Sequence, residues 1–290
     1  MPQARKNKPF TKREDSKRGD SKKKIYKGSK SFKLNSKKKT EDTKVAPLDS
    51  SIRLNRFLAN SGICSRREAD TLIASGAVSV NNEVVTKLGT KVTPEDTIHY
   101  GGELIQSQRK QYFLLNKPKN YITTMDDPKG RKTVMELIQR ACKERIYPVG
   151  RLDRATTGLL LFTNDGQMTK RLTHPSGQVT KIYHVNLDKN VTQRHMIEMV
   201  EGIQLEDGFA QVDKVSYLPN ASKSSISIEL HSGRNRIIRR IMEHLGYKVT
   251  KLDRVNFAGL TKKDIPRGRF KQLSEQEIGL LHRVCGLQKK

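Results

Sequence analysis

The stretch that decides the fold runs from Gly150 to Gly166 and reads GRLDRATTGLLLFTNDG. It places Asp153 between two arginines in a loop, and the apolar run that follows is typical of a buried strand. A turn is predicted at Asp165-Gly166, after that strand. An aspartate in such a loop is usually a turn or cap residue, although flanking arginines favour its charged form and suit phosphate groups. These residues alone leave both a structural and a catalytic role for Asp153 open.

Positive charge dominates the chain of 290 residues, whose formal net charge is +27. Residues 1–49 hold 17 Lys and Arg against 6 Asp and Glu, a net +11, so +16 of the total +27 falls on the remainder. A basic folded region usually faces a polyanion, because neutralised phosphates release their counterions. The alternatives are a basic protein without such a partner and one that binds an anionic membrane surface.

Composition also predicts the tail and the compartment. Residues 1–50 are predicted to be a disordered basic tail that serves solubility or non-specific RNA binding, because they hold few apolar residues. The widely spaced Cys64, Cys142 and Cys285 predict a reducing compartment, with neither a disulfide framework nor a zinc site. The apolar run 158–162 is too short to span a bilayer, and no signal peptide is expected. A cytoplasmic location is therefore predicted.

Four elements are predicted in a small module over residues 51–101. They are a helix with Leu54, Phe57 and Leu58 at helical spacing, a second helix that begins at Arg66 and ends at Gly76, and strands over 78–80 and 83–85. Ser65 and Glu68 have the S-x-x-E spacing of a capping box. Asn81-Asn82 predicts the tight turn between the strands, because asparagine tolerates positive φ.

This module resembles the S4 RNA-binding domain. The resemblance extends from Ile52 to about Gly101 and rests on RL at 53–54, FLA at 57–59, SRREA at 65–69, Gly76 and VSVN at 78–81. Asn82 stands where that family usually has glycine. The resemblance implies that Ser65, Arg66 and Arg67 contact RNA. The alternative is a pair of solvated arginines, which the helix dipole disfavours unless an anion binds there.

A larger domain is predicted over residues 111–282, after a linker over 102–110 and before a C-terminal tail over 283–290. Its predicted strands are Tyr112–Leu115, Leu159–Phe162, Ile182–Leu187 and Ile226–Leu230. Three helices are predicted: one after Thr133, where Glu136 completes a capping box, and two that span Gln193–Glu201 and Asn235–Leu245. Irregular alternation of strands and helices predicts an α+β fold with a mixed, mainly antiparallel sheet flanked by helices.

Four ordered motifs of the larger domain resemble those of the pseudouridine synthases, in the branch formed by the type A synthases of small-subunit ribosomal RNA and the type B synthases of large-subunit ribosomal RNA. They are Leu114–Pro118, Gly150–Gly166, Leu172–Ser176 with Lys181–Tyr183, and Gly233–Arg240. Thr157 replaces the commoner serine, and Ile237-Ile238 replaces the common Gln-Val before the paired arginines. The resemblance covers nearly all of residues 52–281. It implies an S4-type module followed by a catalytic domain that isomerises one uridine of an RNA.

The resemblance implies three catalytic residues. Asp153 acts on the target nucleotide, either by covalent attack or by taking a proton from the sugar. Tyr183 stacks on the uracil and helps to move the C5 proton, although the alternation of its strand fits a core tyrosine equally well. Arg239 pairs with Asp153 and keeps it charged, although a solvated basic helix face explains its position as well.

Further residues are predicted to contact the RNA. Besides those of the small module, they are Arg151, Arg154, Lys181, Leu230 and Arg236. Arg151 and Arg154 are candidates to hold the backbone, and Arg151 is a candidate to fill the gap left by a flipped base. Leu230 is predicted to form an apolar wall. No cofactor and no metal are expected, because there is neither a His/Cys cluster nor a phosphate-binding glycine loop.

The sequence therefore predicts a monomeric RNA pseudouridine synthase without a membrane partner. Its predicted partner is ribosomal RNA or an assembling ribosomal subunit, with the large subunit favoured. The rival from a different class is a non-catalytic S4-type RNA-binding or assembly factor, and the presence of Asp153, Tyr183 and Arg239 argues against it. A carboxylate-dependent glycosidase or nuclease lacks a second acid in any motif.

Overall fold

Residues 51–287 are described by the computed structural model. The basic tail predicted over 1–50 and the last three residues of the tail predicted over 283–290 lie outside the described residues. In the described part of the chain, no helix is both long enough and apolar enough to cross a membrane.

The small module begins the described chain. Its elements are β1 (Ile52–Arg53), α1 (Leu54–Asn60), α2 (Arg66–Ala74), β2 (Val78–Val80), β3 (Glu83–Val84), β4 (Lys91–Val92), β5 (Ile98–Tyr100) and β6 (Glu103–Leu104). The predicted capping box at Ser65 is present, and both asparagines of the predicted turn have positive φ. Strand β6 pairs with β5 and lies within the segment predicted as a linker, so that segment continues the sheet of the module.

The larger domain follows. Its elements are β7 (Tyr112–Lys117), α3 (Met135–Ile138), β8 (Tyr147–Pro148), β9 (Thr157–Thr163), α4 (Gly166–Thr173), β10 (Lys181–Leu187), α5 (Gln193–Glu201), β11 (Ile203–Leu205), β12 (Gly208–Ala210), β13 (Lys214–Tyr217), β14 (Ser225–Leu230), α6 (Ile237–His244), β15 (Val249–Phe257), β16 (Leu260–Thr261), β17 (Phe270–Gln272) and α7 (Glu275–Val284). The main sheet has the order β13-β14-β10-β15-β9-β7-β17, and only β9 and β15 pair in parallel. The predicted α+β fold with a mixed, mainly antiparallel sheet is confirmed.

Helices cover both faces of this sheet. Residues of β7 and β9 alternate between two buried cores, so that Leu115 and Leu160 belong to one core and Leu114 and Leu161 to the other. Side chains that alternate across a strand and are buried on both faces produce an uninterrupted apolar run. This packing explains why residues 159–162 are all apolar.

Three local predictions were wrong. Asp165 is not a turn residue: it is the N-cap of α4, where its Oδ1 accepts from the backbone N–H groups of Gln167 and Met168. The helix after Thr133 has only four residues, and only half of the predicted capping box is formed: Glu136 Oε1 accepts from the Thr133 backbone N–H at 2.7 Å, whereas the Thr133 side chain makes no cap. Helix α6 begins at Ile237 rather than Asn235, because Arg236 adopts a left-handed conformation with φ of 47°.

Gly158 permits the one parallel pairing of the sheet. It lies opposite Arg254 in the β9–β15 register and has a φ of +105°. A Cβ at this position would meet the Arg254 carbonyl oxygen at 2.2 Å, which is far inside van der Waals contact. Asp153 lies only five residues before Gly158, in the loop that leads into β9, so its position depends on this close approach.

Gly158→Ala is expected to lower the free energy of unfolding by about 3 kcal/mol or more, because the methyl group collides with backbone that cannot move aside. Gly279→Ala is the matched control. It lies within α7 with no atom within 4 Å of the added Cβ, and it is expected to stabilise the protein by about 0.5–1 kcal/mol. Urea unfolding measures both, and similar values for the two variants would contradict the argument.

Candidate active site

A cavity of about 590 Å³ opens in front of the Asp153 loop. Its wall includes six residues predicted from the sequence: Arg151, Asp153, Lys181, Tyr183, Leu230 and Arg236. Arg154 is exposed and does not line this cavity, although its carbonyl oxygen accepts from the backbone N–H of Asn120 at 2.9 Å. The structure therefore brings most of the predicted residues of this domain together and leaves Arg154 on the outside.

Two arginines face the carboxylate of Asp153. The Arg239 Nε and the Arg236 Nη1 each lie 3.9 Å from its Oδ2. The Arg239 side chain is 11% exposed, against 46% for Arg236, so the basic face of α6 is not uniformly solvated. Burial, and secondarily the charge of Arg236, lower the pKa of Arg239, and Asp153 opposes this change. Two cations thus lie near the carboxylate at the outer limit of an ion pair.

The left-handed backbone of Arg236 has a geometric consequence. A non-glycine residue in this region costs about 1–2 kcal/mol. The conformation stops α6 from extending backwards and places the side chain of Arg236 beside Asp153. Such strain at a cavity wall is typical of a functional constraint.

Lys117 holds the loop from below. It is fully buried, and its Nζ donates to the carbonyl oxygens of Pro118 at 3.1 Å, Asp153 at 3.1 Å and Thr156 at 2.8 Å. Burial lowers the pKa of Lys117 to about 8, against the opposing influence of Asp153. Sequence reasoning noted the motif but gave this lysine no role. A lysine that closely follows the apolar run 112–115 and precedes a proline was the available signal.

A second side chain completes the support of the loop. The Thr123 hydroxyl donates to the Leu152 carbonyl oxygen at 2.9 Å, and the Leu152 N–H lies 3.3 Å from the same hydroxyl oxygen. The backbone on both sides of Asp153 is thus hydrogen-bonded, whereas its carboxylate faces the cavity. Rigid backbone around a reactive side chain is the usual form of preorganisation.

Tyr183 and Lys181 form the opposite part of the wall. Both lie on β10, and Tyr183 is 9% exposed and packs within the larger core as well as lining the cavity. The Lys181 Nζ donates to the carbonyl oxygens of Val179 at 2.8 Å and His231 at 2.7 Å. Burial, and then the charge of Arg254, lower the pKa of Lys181 to about 8. Arg254, which sequence reasoning missed, lines the same cavity.

A second, larger cleft of about 1440 Å³ lies between the small module and the larger domain. Seven basic residues line it: Arg53, Arg56, Arg66, Lys91, Arg145, Lys170 and Arg171. No acidic residue is among the described residues that line it. Ser65 also contributes to this wall, whereas its neighbour Arg67 does not. His174 lines both the cleft and the cavity, so the two are adjacent.

The described residues offer no metal site. Within residues 51–287, no group of three His, Cys, Asp or Glu side chains is close enough to hold a metal ion.

This chain is similar to known proteins over both the small module and the larger domain. A family model described as RNA pseudouridylate synthase matches residues 111–244, and the S4 domain model matches residues 52–98. An uncharacterised RNA pseudouridine synthase of Aquifex aeolicus is 39% identical over 82% of this chain and 96% of its own length. The ribosomal large subunit pseudouridine synthase B of Bacillus subtilis is 39% identical over 80% of this chain and 96% of its own length. A crystal structure of a pseudouridylate synthase is 28% identical, with a TM-score of 0.57, over 79% of this chain and 99% of its own.

Lys117→Met is expected to remove a pH dependence of stability. The folded pKa of about 8 lies below the ordinary 10.5, so between these values the unfolded chain binds more protons and the free energy of unfolding rises with pH. Methionine has a similar length and no charge. The stability difference between wild type and variant should therefore grow by about 2 kcal/mol from pH 8 to pH 10.

Urea unfolding at a series of pH values measures this difference. Lys119→Met, which removes an exposed lysine two residues away, is the control and should show a constant difference. A constant difference for Lys117→Met as well would mean that its ammonium is not desolvated in the folded state.

Proposed function

Because this chain belongs to the RNA pseudouridine synthase family, we propose that it isomerises a specific uridine of ribosomal RNA, and that this uridine lies in the large subunit. The observation that carries the proposal is Asp153 on a hydrogen-bonded loop, with its carboxylate facing a cavity and two arginines 3.9 Å away. The enzyme is an isomerase with RNA as its substrate. The choice of the large subunit rests on relatives named ribosomal large subunit pseudouridine synthase B, from Bacillus subtilis and Pseudomonas aeruginosa.

Asp153 is proposed to act on the ribose of the target nucleotide. The base detaches from C1′, turns and rejoins through C5, and Asp153 either bonds to C1′ or takes the C2′ proton. Arg239 is proposed to hold the carboxylate charged, and Tyr183 to stack on the base and assist the C5 proton. The burial of Arg239 and the place of Tyr183 in the cavity wall support these roles.

The remaining cavity residues are proposed to bind the nucleotide. Leu230 provides apolar surface, and Arg236 and Arg151 offer charge at the exposed rim, where a phosphodiester passes. Lys181 already donates to two carbonyl groups, so its proposed role is to fix the ends of β10 and β14 around the base. Arg154 remains a proposed contact to RNA outside the cavity.

The basic cleft is proposed to hold the RNA on either side of the target. Its described lining holds seven basic residues and no acidic one, which suits a polyanion, and the N-terminus of helix α2 presents Ser65 and Arg66 there. Its adjacency to the cavity through His174 gives a bound strand a short path to Asp153. Action as a monomer, a cytoplasmic location and a partnership with an assembling ribosomal subunit stay predictions.

Asp153→Asn is expected to abolish isomerisation while RNA binding is retained, because the reaction needs the charge and not the shape of this side chain. The saturated rate should fall by at least about a hundredfold. The experiment incubates the purified full chain with unmodified RNA of the large or the small ribosomal subunit, and maps pseudouridine in each. We expect wild type to modify the large-subunit RNA. The control variant Asp264→Asn, which changes an exposed aspartate outside the cavity, should modify it equally.

The outcomes separate the alternatives. Modification of small-subunit RNA alone would contradict the proposed location of the uridine but not the reaction. Binding without any modification would favour the non-catalytic assembly factor. An Asp153→Asn rate within about tenfold of wild type would contradict the role of the carboxylate.

Arg66→Gln is expected to weaken RNA binding and to reduce the slope of log affinity against log salt by about 1, because one phosphate contact is lost. Arg67→Gln is the matched control. It lies beside Arg66 in the same helical turn, but it does not line the cleft. Equal losses in both variants, measured by filter binding at several salt concentrations, would show that the RNA does not follow the cleft.

A further inference from the structure

Arg254 lies in the wall of the cavity that holds Asp153, and it is 4% exposed. It is the cross-strand partner of Tyr183, so both side chains leave the same face of the sheet. The Arg254 Nε donates to the Leu159 carbonyl oxygen at 2.8 Å, and its guanidinium carbon lies 4.6 Å from the centre of the Phe257 ring. The side chain is thus fixed beside the residue proposed to stack on the base.

This cation lacks an acidic partner. The Arg254 Nη2 is buried without a hydrogen bond, and among residues 51–287 no ion pair to its guanidinium is formed. Lys181 is a second cation of the same wall, and it donates to backbone carbonyl groups. Burying a charge is costly unless a partner compensates it. This part of the wall is therefore arranged for negative charge that arrives with the substrate.

The isomerisation itself creates negative charge on the base. When the N1–C1′ bond breaks, its electron pair stays with the uracil, and the charge is shared among N1, O2 and O4. Loss of the base leaves C1′ of the ribose short of electrons, and Asp153 compensates this deficit by bonding to C1′ or by taking the C2′ proton. The ring then bonds to C1′ through C5, Asp153 leaves or returns its proton, C5 loses a proton and N1 gains one. Atoms and charge balance without a cofactor. Asp153 is neutral while the base is detached, because it holds either C1′ or the C2′ proton, so it offers the uracil anion no compensating positive charge.

We propose that Arg254 stabilises the uracil anion while the base is detached from the ribose. This inference rests on the proposed function and adds a residue to it. Fixed positive charge on a buried guanidinium stabilises charge that exists only after the bond has broken. The loss of Arg254 therefore slows the reaction more than it weakens the binding of RNA.

The test compares wild type, Arg254→Gln and Arg254→Lys in single turnovers on saturating, unmodified ribosomal RNA. Glutamine keeps an N–H donor without charge, whereas lysine keeps the charge. The rate should fall by about a hundredfold for glutamine and about tenfold for lysine, and RNA affinity by less than about twofold. Arg194→Gln, an exposed arginine on α5 that lines neither cavity, should react like wild type.

A second measurement does not depend on catalysis. Barbiturate is a pyrimidine that is anionic at neutral pH, whereas uracil is neutral. A ligand that binds only the folded protein raises its melting temperature. Barbiturate should raise the melting temperature of wild type more than uracil does at the same concentration. This difference between the two pyrimidines should vanish in Arg254→Gln. Equal effects of the two pyrimidines on wild type would overturn the proposal, even if no Arg254 variant folds.

The other outcomes are distinct. A wild-type rate in Arg254→Gln overturns the inference and leaves the proposed function intact. Weaker RNA binding, a salt slope reduced by about 1 and an unchanged saturated rate would assign Arg254 to a phosphodiester instead. Equal losses in the glutamine and lysine variants, with lower melting temperatures, would make the role structural through Leu159. If wild type modifies no ribosomal RNA, the proposed function fails, and the pyrimidine comparison still decides the role of Arg254.

Discussion

The ammonium of Lys117 donates to three backbone carbonyl groups from beneath the loop that carries Asp153. Carbonyl oxygens that point into a protein are costly without a donor, and a lysine that is fully buried is costly without acceptors. Each therefore requires the other. Because these hydrogen bonds fix the backbone of Asp153 and Thr156, the side chain of Asp153 faces the cavity in one direction. The geometry of the remaining site, including the two arginines near the carboxylate, depends on that direction.

Among the described residues, the cations around this loop are not all matched by neighbouring acids. Several cations of the site contact carbonyl groups or an aromatic ring rather than acids, as Lys117, Lys181 and Arg254 show. Asp153 is approached by arginines only at the outer limit of an ion pair. The free enzyme therefore holds an excess of positive charge in and beside its cavity. Such an arrangement suits a substrate that brings a phosphate backbone and develops further negative charge during the reaction.

The small module and the larger domain contribute to one basic surface. Helix α2 faces the cleft through its capped N-terminus, and Arg145 of the larger domain donates to the Cys64 carbonyl oxygen of the loop before that helix at 3.2 Å. The dipole of the helix and the arginine at its first turn act in the same direction, because both favour an anion. The surfaces proposed for RNA binding and for chemistry are thus adjacent and share His174.

Local features were determined by the sequence itself, because their partners lie within a few residues. The capping box at Ser65 and the buried strand β9 could each be predicted from a short stretch of residues. Asp153 was identified because it lies in a motif that resembles the family's. The tertiary structure alone decided which distant groups meet. Lys117 contacts carbonyl groups up to 39 residues away, and Arg254 contacts Leu159 across 95 residues. Neither hydrophobic periodicity nor motif spacing in the sequence predicts such contacts, because they arise only when packing brings separate strands of the sheet together.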